Sequence, residues 1–423
     1  MNQPHHSGLS FVTFRAEDEP DRLLGWYEAQ QRGFHQSRTS EELRQHYGEH
    51  LRADEAVLRG VWQDSPALGS GTIPVATYMS FDKSLHTGRG LLPARLISDV
   101  TVSPTHRRRG LLRALITEDL RDAAEQGVPL AALTVTEGSI YGRFGFGPAA
   151  FEQTLSVETG SPLAFREGDD DGSVELLEPL EALPTTAALF GTFHERTRGS
   201  VERPQFYQPI MSGTFDYDSG PDRKLRTAVH LDPAGTPDGY VAYRPGDRKD
   251  RHLTVKVADL VALSPAAHRG LWAFLAALDL TDAVEWRHAS VADPLAWSLV
   301  DPFRAKVTRQ ADALWVRVLD VPRALEARPW GADGELVVEV DDPLGHAAGC
   351  FRIVTSSGNA QVSATDQPAD VLLSADTLGS VYLGGVPTAT LRSADRLTGS
   401  DEALDTFTSM FDTGPAPYCL THF

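Results

Sequence analysis

Residues 98–151, SDVTVSPTHRRRGLLRALITEDLRDAAEQGVPLAALTVTEGSIYGRFGFGPAAF, decide the fold. An apolar strand over 96–102 ends at Ser103-Pro104, because proline removes a backbone donor and biases the residue before it towards extended geometry. The basic turn Arg107-Arg108-Arg109-Gly110 follows at once. It leads into a helix whose Leu112, Leu115, Ile116, Leu120 and Ala123 recur at helical spacing, with Arg113, Glu118, Arg121 and Glu125 on the wet side. Gly127 and Pro129 stop that helix, and a second apolar strand precedes a glycine-rich turn carrying Tyr141. A strand, a tight turn and a helix N-terminus offer backbone N–H groups and the positive end of a helix dipole, the geometry that holds a pyrophosphate. Taken alone, three arginines before a helix also describe a solvated basic turn. Arg107-x-x-Gly110-x-Leu112 placed directly after a strand favours the anion site, and the absence of any Gly-Lys-Ser/Thr excludes a Walker A loop.

Working outward, 423 residues suffice for two or three domains, each with its own core. Hydrophobic residues at 41% and charged ones at 23% describe a folded soluble chain. A formal net charge of −19 argues against nucleic acid as a partner and suits cationic small molecules. It also makes Arg107 to Arg109 a local basic spot on an acidic protein. Cys350 and Cys419 are too few for a disulfide framework and show no Cys-x-x-Cys spacing. Neither a leader-like N-terminus nor an apolar run of membrane length is visible, so a cytoplasmic protein without membrane contact is expected. His-Glu-x-x-His is missing and His5-His6 lies near the N-terminus, where fraying is expected, so no metal is expected.

In chain order, a strand over 9–15 and helices over 21–32 and 40–51 come first. Strands over 56–62 and 75–81 follow, and Gly88-Arg89-Gly90 turns the chain into the deciding strand. Residues 159–172, with Asp169, Asp170 and Asp171, read as a surface connection. Beyond it, VALSPAAHRGLWAFLAAL (261–278) repeats the strand, Ser-Pro, turn, Arg-Gly and Leu-rich helix of VTVSPTHRRRGLLRALI (100–116), with one turn residue deleted. This pattern reads as an internal duplication, the alternative being a chance recurrence of Ser-Pro before a helix. The second copy keeps Arg269-Gly270 but carries Ala266, Ala267 and His268 where the first is rich in arginine, which predicts a degenerate copy serving structure. Residues 313–328 give a strand, a Pro break and a short helix; strands over 334–340 and 350–355 and helices over 376–383 and 394–407 complete a third α+β unit.

Arg107-x-x-Gly110-x-Leu112 resembles the acyl-CoA loop of the GNAT superfamily of N-acetyltransferases, usually Gln/Arg-x-x-Gly-x-Gly/Ala; Leu112 departs from it. The runs PTHRRRGLLRAL (104–115), IYGRFGFGPA (140–149), ALWVRVLDVPRALEAR (313–328) and LGSVYLGG (378–385) resemble, in order and across essentially the whole chain, the enhanced intracellular survival (Eis) family, which itself carries a large residue at the place of Leu112. The resemblance implies two tandem acetyltransferase-like domains followed by a sterol-carrier-protein-like α+β domain. It places an active acetyl-CoA-binding domain at 1–155, a degenerate one at 156–312, and at 313–423 a domain whose C-terminus completes the active site. It further implies acetyl-CoA as co-substrate, a homohexamer, and acetyl transfer to primary amines of small polyamine-like substrates, aminoglycosides among them. A protein-lysine acetyltransferase is the alternative within that chemistry, and a non-catalytic lipid-binding or scaffold protein the alternative outside it.

Acetyl transfer from a thioester to an amine requires an anchored CoA, a polarised carbonyl, a neutral amine and a proton for the leaving thiolate. By the resemblance, Val100, Val102, Arg107, Arg108, Gly110, Leu111 and Leu112 hold the cofactor, Tyr141 is the general acid, and the C-terminal carboxylate of Phe423 is the general base. Trp26, Phe34, His35 and His422 are the substrate-pocket candidates. The family's cleft is acidic, whereas here the penultimate residue is His422 and Gly33-Phe34-His35-Gln36-Ser37 supplies His and Gln, which predicts a looser grip on polycationic antibiotics.

Overall fold

The computed structural model describes residues 7–38, 40–69, 71–135, 137–166, 172–215, 220–246 and 253–423. The first half carries strands β1 (Leu9–Arg15), β2 (Val57–Gln63), β3 (Ala76–His86), β4 (Leu91–Val102) and β5 (Leu130–Leu133), with helices α1 (Pro20–Gly33), α2 (Glu41–Ala53) and α3 (Leu111–Glu125). After β6 (Gly147–Glu158), the second half has β7 (Ser173–Leu177), β8 (Arg226–Leu231), β9 (Pro237–Pro245), β10 (Thr254–Ala262) and β11 (Ala283–Ser290). Its helices are α4 (Pro179–His194), α5 (Tyr207–Ser212), α6 (Pro265–Ala276) and α7 (Leu295–Ser298), and β12 (Ala305–Val318) leads out of it. The last unit contains α8 (Val321–Glu326), strands β13 (Gly334–Asp341), β14 (Gly349–Ser356), β15 (Asn359–Ala364), β16 (Val371–Ser374) and β17 (Thr398–Gly399), and helices α9 (Ala375–Tyr382), α10 (Thr388–Ser393) and α11 (Asp401–Phe411). The helix expected over 394–407 is corrected: α10 ends at Ser393, β17 intervenes, and α11 starts only where Ser400 accepts from the Ala403 N–H as N-cap.

Strands β1 to β12 form one 12-stranded sheet in the order β1-β2-β3-β4-β5-β12-β6-β11-β10-β9-β8-β7, and β13 to β17 form a separate five-stranded sheet. Each half repeats antiparallel strands followed by one parallel step, β4 on β5 and β10 on β11, as the duplicated sequence predicts. The halves are joined through β6 and β12, which pair antiparallel from Ala305↔Val157 to Val316↔Gly147. Strand β6 pairs on its other side with β11, while the end of β12 pairs with β5. The borders expected after 155 and 312 therefore run through the middle of β6 and β12, because each strand serves both halves.

The third unit docks where backbones touch. A Cβ on Gly147 would stand 1.9 Å from the Asp376 carbonyl oxygen, and one on Gly379 would stand 2.1 Å from that of Val316. Only glycine permits this approach of α9 to β6 and β12. Arg317 of β12 is fully buried there, donating to the Phe144 carbonyl and, at 2.7 Å, to Asp342 of the third unit. In the first half, buried Asp119 of α3 accepts from Arg95 at 2.8 Å, Tyr78 at 2.8 Å and Ser80 at 2.7 Å, and pairs with Arg59 at 2.8 Å. A buried carboxylate with four partners fixes α3, and with it the turn at its N-terminus, on the sheet.

Candidate active site

Strands β4 and β5 pair from Ala94↔Leu130 to Ile97↔Leu133 and then part. Beyond Ile97, β4 continues only on β3, and the register shift between Thr77 and Met79 bulges it at Asp99, whose φ is +51°. Bulges of this kind terminate pairing and re-aim a strand. Val100 and Val102 lie on the splayed segment and are half-buried against the core beneath α3. Asp99 is half-buried, accepting from Gln30 at 2.9 Å and from the Tyr47 hydroxyl; desolvation pushes its carboxyl upward.

The turn after β4 has the features of an anion cradle. Arg108 and Gly110 are left-handed, at φ +62° and +79°, and Gly110 is the N-cap of α3. That cap makes no side-chain hydrogen bond and the first turn of α3 carries no acid. The leading N–H groups and the dipole are thus left to an external anion. Arg107, Arg108 and Arg109 are exposed, and none is in an ion pair among the described residues. Leu111 is buried and Leu112 half-buried, so Leu112 packs inward and leaves the turn to backbone groups. These residues fit the pyrophosphate of a CoA thioester.

The duplicated copy differs at this point. Helix α6 begins at Pro265, Ser264 caps it by accepting from the Ala267 N–H, and Gly270 is buried mid-helix. The Ser264 hydroxyl donates to Asp238 at 2.6 Å. A carboxylate of the chain itself therefore sits at the helix N-terminus where the first copy leaves room for an anion.

Tyr141 opens the turn before β6, which Gly142–Phe144 and left-handed Gly145 tighten. Its side chain is 9% exposed and meets Phe146 edge-on at 6.4 Å. Burial, followed by the charge of Glu137, pushes its phenol up to about 12. The phenol stays protonated across any ordinary assay.

The chain's last residue returns to the first half. Thr134, just past β5, donates at 2.6 Å to a carboxylate oxygen of Phe423, whose ring meets Phe81 edge-on at 6.3 Å. The segment before it is threaded between the halves. Tyr418 donates its N–H to the Arg198 carbonyl at 2.8 Å and its hydroxyl to that of His288 at 2.6 Å; Thr421 donates to Val201 at 2.6 Å. The His422 N–H donates to the Tyr207 hydroxyl at 2.8 Å. The His422 ring lies 4.3 Å from that of His288, and burial, then that neighbouring ring, lowers its pKa to about 4.

The pocket candidates separate. Phe34 and His35 are exposed at the end of α1, and a Cβ on the preceding Gly33 would stand 2.4 Å from the Thr101 side chain, so this end abuts the splayed end of β4. Trp26 is corrected: it is 0% exposed, its indole donates to the Arg59 carbonyl at 2.8 Å, and it offers a substrate no surface. A helix-face aromatic cannot be told from a pocket aromatic by sequence alone. Sequence reasoning also missed Thr134, Tyr207 and Asp99, ordinary residues made important by what the fold brings to them. A cleft of about 580 Å³ lined by Leu176, Arg226, Tyr243 and Leu278 lies in the second half and shares no residue with this site.

Comparison with known proteins agrees with this geometry. Two stretches match models of the acetyltransferase (GNAT) domain, residues 17–149 and 199–318, and residues 321–420 match a sterol carrier protein domain. An uncharacterized N-acetyltransferase of Streptomyces griseus is 37% identical over 357 residues, spanning 82% of this chain and 86% of that one. N-acetyltransferase Eis of Mycobacterium tuberculosis is 36% identical over 352 residues, 81% of this chain and 84% of that one. The chain belongs to the Eis family of N-acetyltransferases. The crystal structure of Eis1 from Mycobacterium abscessus superposes with a TM-score of 0.81 at 28% identity, covering 98% of this chain and all of that one. As an Eis-family protein the chain is an N-acetyltransferase, built from two GNAT domains and a sterol-carrier-like domain, and its fold implies acetyl-CoA as the acetyl donor. No helix among the described residues is long and apolar enough to cross a membrane.

Proposed function

We propose that this chain transfers the acetyl group of acetyl-CoA to primary amines of small polyamine-like substrates, aminoglycosides included, with Tyr141 as general acid and the Phe423 carboxylate as general base. The observation that carries the reading is the terminal carboxylate, held by Thr134 beside the opening between β4 and β5. Val100, Val102 and the turn from Arg107 to Leu112 hold the donor, which supplies the thioester carbonyl and the leaving thiolate. As the amine nitrogen bonds to the carbonyl carbon and the C–S bond breaks, the nitrogen's surplus proton passes to the Phe423 carboxylate and the Tyr141 proton passes to sulfur. An α-carboxylate with a reference pKa near 3.5 is a weak base towards an ammonium of about 10.4. Desolvation on substrate binding, or a relaying water, has to close that gap. Asp238 at the N-terminus of α6 supports a second half without a donor site. The net charge of −19 favours approach of polycations, while His422 and His35 favour a weaker hold on them than an acidic cleft would give.

CoA release measured with acetyl-CoA and a panel of aminoglycosides, linear polyamines and lysine peptides tests the reading. Turnover of the small amines is the expected result. Turnover of lysine peptides alone would replace it with the protein-acetylating alternative, and failure to bind acetyl-CoA would favour the scaffold. We also propose a homohexamer, which light scattering on the purified chain checks.

A further inference from the structure

Beside the terminal residue, three potential metal ligands converge from three parts of the chain. Glu152 comes from β6, His288 from β11 and His422 from the tail, and one ligand atom of each lies within 4.8 Å of the others. His288 Nδ1 is 2.8 Å and His422 Nε2 3.4 Å from the same Glu152 oxygen. The two rings are tilted by 52°, not stacked. His288 falls in the register shift between Trp286 and Ala289, a bulge of β11 opposite β6. Bulges re-aim single side chains, and this one turns His288 towards Glu152.

His422 Nε2 is sealed from solvent and has no hydrogen-bond partner, although the side chain as a whole is 36% exposed. An orphaned buried nitrogen is costly, so a hydrogen-bonded triad alone leaves it unexplained. We propose that Glu152, His288 and His422 bind one borderline divalent cation of the zinc class, which clamps the carboxy-terminal tail to the sheet between the two acetyltransferase halves. Two imidazoles and one carboxylate suit Zn²⁺, Co²⁺ or Ni²⁺ better than Mg²⁺ or Ca²⁺. Ligand atoms around a tetrahedral zinc stand roughly 3.3–3.5 Å apart, so the 3.4 Å pair already fits and the 2.8 Å pair opens by ~0.5 Å. His288 offers Nδ1 to the cation as the neutral tautomer with its proton on Nε2, and water completes the fourth position. Arg203 disfavours positive charge at His422, an effect offset in part by its own partner Asp259 at 2.6 Å and by the Glu152 carboxylate within the site. Sequence spacing could not reveal the site, because its members are more than a hundred residues apart.

Titration of the chelator-treated full-length chain with Co²⁺ tests this directly. Expected are the intense visible d–d bands of a four-coordinate site, saturating at one ion per chain and lost on adding Zn²⁺, together with a rise in Tm when Zn²⁺ is present. His288→Gln and His422→Gln should each abolish the bands and the Tm rise, whereas the double variant His5→Gln/His6→Gln should keep both. Weak six-coordinate spectra in the wild-type chain would overturn the proposal whatever the variants do. So would bands that survive in both ligand variants or vanish with His5 and His6.

Discussion

Replacing Tyr141 with Phe removes one hydroxyl and leaves the ring where it packs, edge-on to Phe146 at 6.4 Å. With its pKa pushed up to about 12, the phenol is ionised in only about one molecule in 10⁴ at pH 8. Proton delivery to the thiolate of a thiol near 8.5 is uphill in the resting site by about 3.5 pK units, so the hydroxyl helps only as negative charge develops on sulfur. Losing such an acid lowers kcat by about 10²–10⁴, or about 2.7–5.4 kcal/mol. KM for acetyl-CoA should hardly change, since Tyr141 lies outside the cradle. Stability should also be nearly untouched. A raised pKa keeps the acid protonated, so wild-type kcat should show no loss of activity from this group until pH approaches 12. Steady-state CoA release from pH 6 to 10, with acetyl-CoA and amine varied separately, reads all of this. A Phe variant within about threefold of wild-type kcat would refute an acid role for Tyr141.

Asp119→Ala leaves Arg59 and Arg95 without their shared buried carboxylate and should cost about 3–5 kcal/mol, read as a lower urea midpoint at unchanged slope. Gly379→Val places a side chain 2.1 Å from the Val316 carbonyl oxygen; overpacking of about 1–3 kcal/mol or more should loosen the third unit, seen as faster proteolysis of the segment after β12. Gly110→Val puts a β-branched residue at φ +79° and should weaken acetyl-CoA binding at least tenfold. Calorimetry on the parent chain should count one acetyl-CoA per chain, because Asp238 occupies the second helix N-terminus.

Much of the architecture was legible from local chemistry. Ser103-Pro104, the arginine-glycine turn and the 3.6-residue spacing of Leu115, Ile116 and Leu120 identify β4, the cradle and α3, and the repeat at 261–278 identifies the second half. Long-range sharing was not legible. Nothing in β6 or β12 announces that each is paired in both halves, since a strand buried on both edges looks the same whoever its neighbours are. The roles expected of Tyr141 and Phe423 came from family likeness, not from residue pattern. Thr134 and Tyr207 acquire their place only because the tail is laid across them. The run Asp169 to Asp171, read as a surface connection, lies outside the described residues.

The most direct measurement compares the native chain with one in which a single glycine follows Phe423, so that the carboxylate held by Thr134 becomes a neutral amide. If that carboxylate is the base, kcat for small amines falls by about 10²–10⁴ while the acetyl-CoA dissociation constant stays within about twofold. Full turnover in the extended chain would contradict it.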